Sequence, residues 1–152
     1  MAPPSIFTKK ESDAINARIH KLSPETQAQW GKMSASQMLA HCNVSYEMAY
    51  EDKHPKPNFL MKFILKAFVK KGVTNETPYK HNLQTAPAFI IKDGKNFDAE
   101  KARLIQYINK TQELGAAYFE NRESLSFGKL ASTEWNNMFY KHLNHHVTQF
   151  GV

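Results

Sequence analysis

Between Ser132 and Gly151 an apolar residue recurs every three or four positions, at Trp135, Met138, Phe139, Leu143 and Val147, a period that calls for a helix with one buried face. The same stretch carries His142, His145 and His146. At about 100° per residue, positions four apart differ by only about 40° in direction and about 6 Å in height, so His142 and His146 can face one point. They fall between Trp135 and Phe139 at the centre of the apolar arc. His145 is turned by about 80° to 100° from His146 and reads as a surface or supporting residue. Two imidazoles aimed into a core need partners, because a buried ring nitrogen left unpaired costs on the order of 1–3 kcal/mol. A shared metal ion would satisfy both. So would hydrogen bonds to backbone, hydroxyl or carboxylate groups, and the H-x-x-x-H spacing alone does not choose between them.

The rest of the chain also reads as helices joined by loops. A first helix, about Thr8 to Leu22, places Ile15, Ile19 and Leu22 at helical spacing, and Ser23-Pro24-Glu25 can open a short helix to Trp30. Gly31 breaks the pattern. Ser34 and Gln37 then form a capping box for a second long helix running to about Tyr50. From Phe59 to Lys71, Leu60, Phe63, Ile64, Ala67 and Phe68 share one face and Lys62, Lys66 and Lys70 another, which predicts an amphipathic helix ended by Gly72. Val73 to Asn96 is irregular, and its run Phe89-Ile90-Ile91 has no strand partner in sight. After Asp98, a candidate N-cap, Leu104, Ile105, Ile108 and Leu114 predict a fourth long segment before Gly115, and Glu120 to Ser126 reads as a connector. The expected fold is all-α: a four-helix bundle with a long packed loop between its third and fourth segments, one domain over residues 1–152, without a sheet.

A third ligand for an ion must come from another helix, and His41 is the candidate, between Met38 and Met48 on the shoulder of the second helix's apolar arc. His20, His54 and His81 read as solvated. Cys42 adjoins His41, but successive helical residues diverge by about 100°, so it reads as a buried, inert thiol rather than a nucleophile. As the only cysteine it allows no internal disulfide, and it fits a reducing compartment. The opening residues lack the apolar run of a secretory signal, so a cytoplasmic location is expected. Phe59 to Val69 is far shorter than the roughly 20 residues that span a bilayer.

With 20 Lys and Arg against 14 Asp and Glu the net charge is +6, which favours anionic partners without identifying any. Lys62, Lys66, Lys70 and Lys71 could contact phosphates of nucleic acid or lipid, but a solvated helix face explains them more simply, and no aromatic-basic interleaving supports an RNA reader. Neither nucleic acid nor membrane is therefore expected as a partner. No phosphate-cradling glycine loop and no Ser-His-Asp context appears.

Two blocks carry a family resemblance. One is Trp30-Gly31-Lys32-Met33-Ser34 with Gln37-Met38-Leu39-Ala40-His41; the other runs from Phe127-Gly128-Lys129-Leu130 through Glu134-Trp135 and Tyr140 to His146 and on to Gln149-Phe150-Gly151. In these the chain resembles the DinB/YfiT-like superfamily of metal-dependent helical proteins, specifically one of its subfamilies of unknown function. The resemblance implies an up-down-down-up four-helix bundle, often in a dimer, with a metal on His41, His142 and His146. Characterised members of that superfamily include thiol-dependent transferases and isomerases. Just before Phe127, where such proteins often carry His-Pro, this chain has Ser124-Leu125-Ser126.

Three neutral imidazoles with a free coordination position form the ligand set of a catalytic rather than a closed structural site. The expected cofactor is a divalent ion, zinc or nickel first, iron or manganese next. The expected function is a metal-dependent enzyme acting on a small-molecule substrate or thiol, as a transferase or hydrolase, in a homodimer. The alternative is a bundle that binds a metal or small ligand without turnover. Glu47 and Gln37 are the candidates for groups that orient the ligand histidines.

Overall fold

Thr8 Oγ1 accepts the Glu11 N–H and starts α1, Lys9–His20. Ser34 and Gln37 cap each other's backbone donors at the start of α2, Ala35–Tyr50, as the sequence predicts. Two more long helices follow in the computed structural model, which describes every residue from Met1 to Val152: α5, Phe97–Phe119, and α6, Ser132–Gln149. Their apolar faces meet in one cluster of 20 buried residues, with Ile15 and Ile19 from α1, Met38, Leu39 and Tyr46 from α2, Leu104 and Ile108 from α5, and Trp135, Phe139 and Leu143 from α6. The Tyr46 ring lies between those of Tyr107 and Phe139, 5.5 Å and 4.7 Å away, and so ties α2, α5 and α6 together. Each such side chain contributes roughly 1.5–3 kcal/mol on burial, which makes this core the main source of stability.

The fold differs from expectation at five places. Ser23 to Trp30 forms turns rather than a short helix, because the segment has no apolar face of its own and the Gln29 N–H instead donates to the Gln149 carbonyl at the end of α6. The cap of α5 is Asn96, whose Oδ1 accepts the Ala99 N–H; Asp98 sits in the first turn, where its charge favours the helix dipole. Gly115, at φ +73°, kinks α5 without ending it, and helix resumes to Phe119, which is fully buried. The connector beyond it holds a small sheet: β1, Arg122–Ser124, pairs antiparallel with β2, Gly128–Leu130. Strands of three residues are too short to show a period of two. The protein is thus mainly α with one hairpin, not all-α.

The fifth difference lies between α2 and α5. The expected helix exists and runs on through Gly72: α3, Phe59–Ile64, passes through a π turn, Leu65–Val69, into α4, Lys70–Thr74. Its packing is the reverse of the usual arrangement, with the lysine stripe turned towards the protein and the apolar face towards solvent. The loop that follows is irregular apart from a 3-10 turn at Pro87–Phe89, so Phe89-Ile90-Ile91 forms no strand. Most of this loop is exposed rather than packed, with Tyr79, Phe89 and Ile91 half-buried. No helix is long and apolar enough to cross a membrane.

Candidate metal centre

The core places His41 of α2 opposite His142 and His146 of α6. Their ring centroids form a nearly equilateral triangle with sides of 4.8 Å (His41 to His142), 4.5 Å (His41 to His146) and 4.8 Å (His142 to His146). One candidate ligand nitrogen from each lies within 4.8 Å of the others, and Nε2 of His41 is 2.8 Å from Nε2 of His142. A tetrahedral ion with bonds of about 2.0–2.1 Å would hold three nitrogens about 3.3–3.4 Å apart, so shifts of roughly 0.5–1.5 Å in the ring nitrogens separate this arrangement from a bound one. The three histidines that the sequence singles out are brought together.

The outward nitrogens are all anchored. His41 Nδ1 donates to the Phe89 carbonyl at 2.8 Å, and His146 Nδ1 donates to Gln149 Oε1 at 2.8 Å. Because a carbonyl oxygen only accepts, both rings carry their proton on Nδ1 and present a bare lone pair at Nε2. The Gln149 orientation is itself fixed, since its Nε2 donates to the Trp30 carbonyl at 2.7 Å. Gly31 makes room for that bond: at φ +81° it adopts a left-handed conformation, and a Cβ there would lie 2.6 Å from Gln149 Nε2. His142 Nδ1 lies 3.0 Å from Ser45 Oγ, a hydroxyl able to accept or donate. His142 can therefore give His41 a proton at Nε2 when no ion is present and turn its own lone pair inward when one is. In neither state does a protein group meet Nε2 of His146.

Burial lowers the basicity of all three rings. His146 is brought down to about 3 by desolvation and the neighbouring His41, and His142 falls well below the usual range through burial and the three surrounding histidines. Burial also lowers His41, against the raising effect of the Phe89 carbonyl. At neutral pH the cluster is three uncharged nitrogen bases, the protonation state that a metal requires. The donor set thus fits a divalent ion, and the site can hold one.

Other expectations fare differently. His145 is half-buried with its ring edge-on to His146, Trp30 and Tyr79, outside the triangle. His20 and His81 are exposed, but His81 stacks on Trp30 at 3.7 Å. His54 is not free in solvent: it is half-buried and bonded to Glu47 at 2.6 Å. Neither guessed supporting group touches a ligand histidine, since Gln37 is used in the helix cap and Glu47 binds Lys53, His54 and Arg103. The groups that do support the ligands are Ser45, Gln149 and Phe89. One was detectable, Gln149 three residues after His146 on the same helix face, whereas Ser45 of α2 reaches His142 across to α6. Cys42 is buried with its thiol 3.7 Å from the Met38 sulfur, and burial pushes its pKa up, as for an inert thiol.

A family model described as protein of unknown function (DUF1569) matches residues 5–151. No curated protein and no solved structure matches the chain.

Proposed function

This chain belongs to the DUF1569 family of proteins of unknown function, and we propose that within it His41, His142 and His146 hold a catalytic divalent metal ion, zinc or nickel before iron or manganese. The observation that carries this is the convergence of three neutral imidazoles whose Nδ1 atoms are each held from outside by Phe89, Ser45 or Gln149. Neutral nitrogen donors suit zinc and nickel, and three ligands leave a position for a small molecule. When bound, such an ion supplies Lewis acidity at that position, able to polarise a carbonyl oxygen or favour a thiolate. The chain's own residues do the positioning. Phe89, Ser45 and Gln149 aim the imidazoles, and the Phe89 ring, 5.4 Å from His41 and 5.7 Å from His142, walls the cluster from the loop side.

On this reading the protein is a DinB/YfiT-like bundle acting in the cytoplasm on a small-molecule substrate or thiol, as a transferase or hydrolase. A binding bundle without turnover is the second reading, and one observation favours it. Just before Phe127, where proteins of that superfamily often carry His-Pro, this chain has Ser124-Leu125-Ser126, and Ser124 uses its hydroxyl within the hairpin, accepting from the Phe127 N–H and donating to the Gly128 carbonyl. The turn therefore offers no imidazole, and its Ser124 hydroxyl is taken up by the hairpin.

Elemental analysis of protein purified without an affinity tag tests the metal. Near one ion per chain is expected, with a large loss in His142→Ala and an unchanged helical circular dichroism spectrum. Full metal content in His41→Ala, His142→Ala and His146→Ala alike would reject the assignment. Screening the loaded protein with thiols and electrophiles then separates enzyme from binding bundle, since only the former converts them.

A further inference from the structure

The segment from Phe59 to Thr74 is fastened to the protein along its polar side. Lys62 pairs with Glu123 of the hairpin at 3.1 Å and Lys70 with Glu134 of α6 at 3.1 Å. At the far end Lys141 Nζ donates to the carbonyls of Gly72 and Asn75, and the Asn137 amide to that of Thr74. At the near end Asn58 Oδ1 accepts the Met61 N–H and caps α3. The helix is thus formed and oriented before anything binds it, with its apolar face left outside. Phe59 is 90% exposed, Leu60 66%, Phe63 62% and Phe68 80%, and Met61, Ile64 and Val69 are exposed beside them. Read from sequence alone, such a stripe belongs in the core and no membrane is expected as a partner; the packing removes that premise.

Taking a whole phenylalanine as roughly 200 Å², these seven side chains expose on the order of 800 Å² of apolar surface. A monomer rarely leaves a continuous apolar patch of more than a few hundred Å² to water, so the face calls for a partner. The charges around it say which kind. From Lys53 to Asn75 the chain carries six lysines and no Asp or Glu. Glu47, Glu123 and Glu134, all from outside this stretch, neutralise Lys53, Lys62 and Lys70. Lys56 just ahead of α3, Lys66 in the π turn and Lys71 in α4 are exposed and have no carboxylate within ion-pair distance. A broad apolar face is therefore flanked by cations that the chain leaves unpaired.

We propose that the outward face of α3 and its π turn docks this protein on the surface of a bilayer rich in anionic phospholipids. The apolar side chains enter the boundary between headgroups and acyl chains, and Lys66 and Lys71 extend from the flanks of the helix to lipid phosphates, as in an amphipathic helix lying in the interface plane. A second copy of this chain suits the face less well. A two-fold contact would bring unpaired lysines near unpaired lysines, with no carboxylate in the segment to set between them. An acidic protein would answer the charges, but the face formed by Phe59, Leu60, Phe63, Ile64, Ala67 and Phe68 holds no polar side chain to give a protein contact its direction. A lipid interior asks for none. Because the helix is already capped and anchored, insertion orders little additional chain.

Flotation of the full chain with lipid vesicles, run with and without a chelator, tests this independently of any metal. At low salt the wild type should bind phosphatidylcholine vesicles containing about one third phosphatidylserine about 30-fold more tightly than pure phosphatidylcholine, the gain expected from Lys66 and Lys71 at an anionic surface. Phe63→Ser and Phe68→Ser should each weaken binding to the mixed vesicles by about tenfold or more. Thermal unfolding should stay unchanged in both, because the two rings stand mostly in solvent. Lys66→Gln combined with Lys71→Gln should remove the preference for phosphatidylserine and leave the weaker binding to phosphatidylcholine. Leu60→Ser serves where a phenylalanine variant does not fold, and the comparison of the two lipids needs no variant. A wild type that floats with neither vesicle overturns the proposal. So does binding that is indifferent to every apolar substitution, which would leave the lysines alone responsible. A wild type that is dimeric at tens of micromolar and monomeric in Phe63→Ser overturns it too, and would assign the face to a second copy.

Discussion

Helix α2 carries two polar clusters, six residues apart, that satisfy burial in opposite ways. Around Glu47, burial alone would raise the carboxyl pKa, but hydrogen bonds from His54, Lys53 and Arg103 outweigh it and hold the group below the usual carboxylate range. Arg103 also pairs with Glu100, which accepts in turn from Asn43. Every charge there has an opposite. Around His41 burial also acts first, yet nothing acidic offsets it, and three bases of one kind turn their inner ring nitrogens towards the same space. The first cluster is complete as a protein structure, whereas the second becomes complete with a cation. Burial of polar groups therefore does not by itself mark a site; what marks it is a shared, unmet requirement.

The comparison breaks most visibly at a ligand. Replacing His142 with alanine should weaken metal binding by more than about 100-fold, beyond the 10- to 100-fold loss typical of a supporting group. Competition with a chelator of known affinity measures it. Acid should separate the clusters next. In the ion-free protein an unfolded histidine takes its proton near pH 6.5, while folded His146 waits until about 3, so the unfolded chain binds more protons in that interval. Stability is then full above about pH 6.5 and lost as pH falls; from pH 7 to pH 5 His146 alone should account for about 2 kcal/mol in urea unfolding, with His142 and His41 adding to it. Glu47 keeps its charge over the same range, because its shift is downward.

Glu47→Ala should cost about 2 kcal/mol of stability, less than the roughly 3–5 kcal/mol of a fully dry ion pair because Lys53 and Arg103 retain contact with water. Metal content per chain should not change. The smallest effect is expected at the supporting groups. Ser45→Ala should weaken the metal by about tenfold, and Gly31→Ala by a similar factor through Gln149, each with one ion still bound at saturation.

What the sequence made legible follows from how local each cause is. Helical period, the Ser34–Gln37 capping box and the four-residue spacing of His142 and His146 are local, and each appears in the fold. His41 required a tertiary guess, helped by its place on an apolar shoulder. The Phe89 carbonyl could not be found, since it reaches His41 from a loop 48 residues away without side-chain chemistry. Glu47 and Gln37 support no ligand for different reasons: Gln37 shares the His41 face of α2 but is used in the helix cap, while Glu47, six residues on, points away from His41 to partners of its own. The hairpin was hidden by its three-residue strands, and the outward face of α3 by the assumption that an apolar stripe points inward.

X-ray absorption at the metal edge of zinc-loaded protein, after dialysis to remove loose ions, addresses the three-histidine centre most directly. The expected spectrum has three imidazoles at about 2.0–2.1 Å plus at least one further light atom. A protein that retains no zinc through dialysis, or a shell of oxygens without imidazole scattering, would contradict the centre.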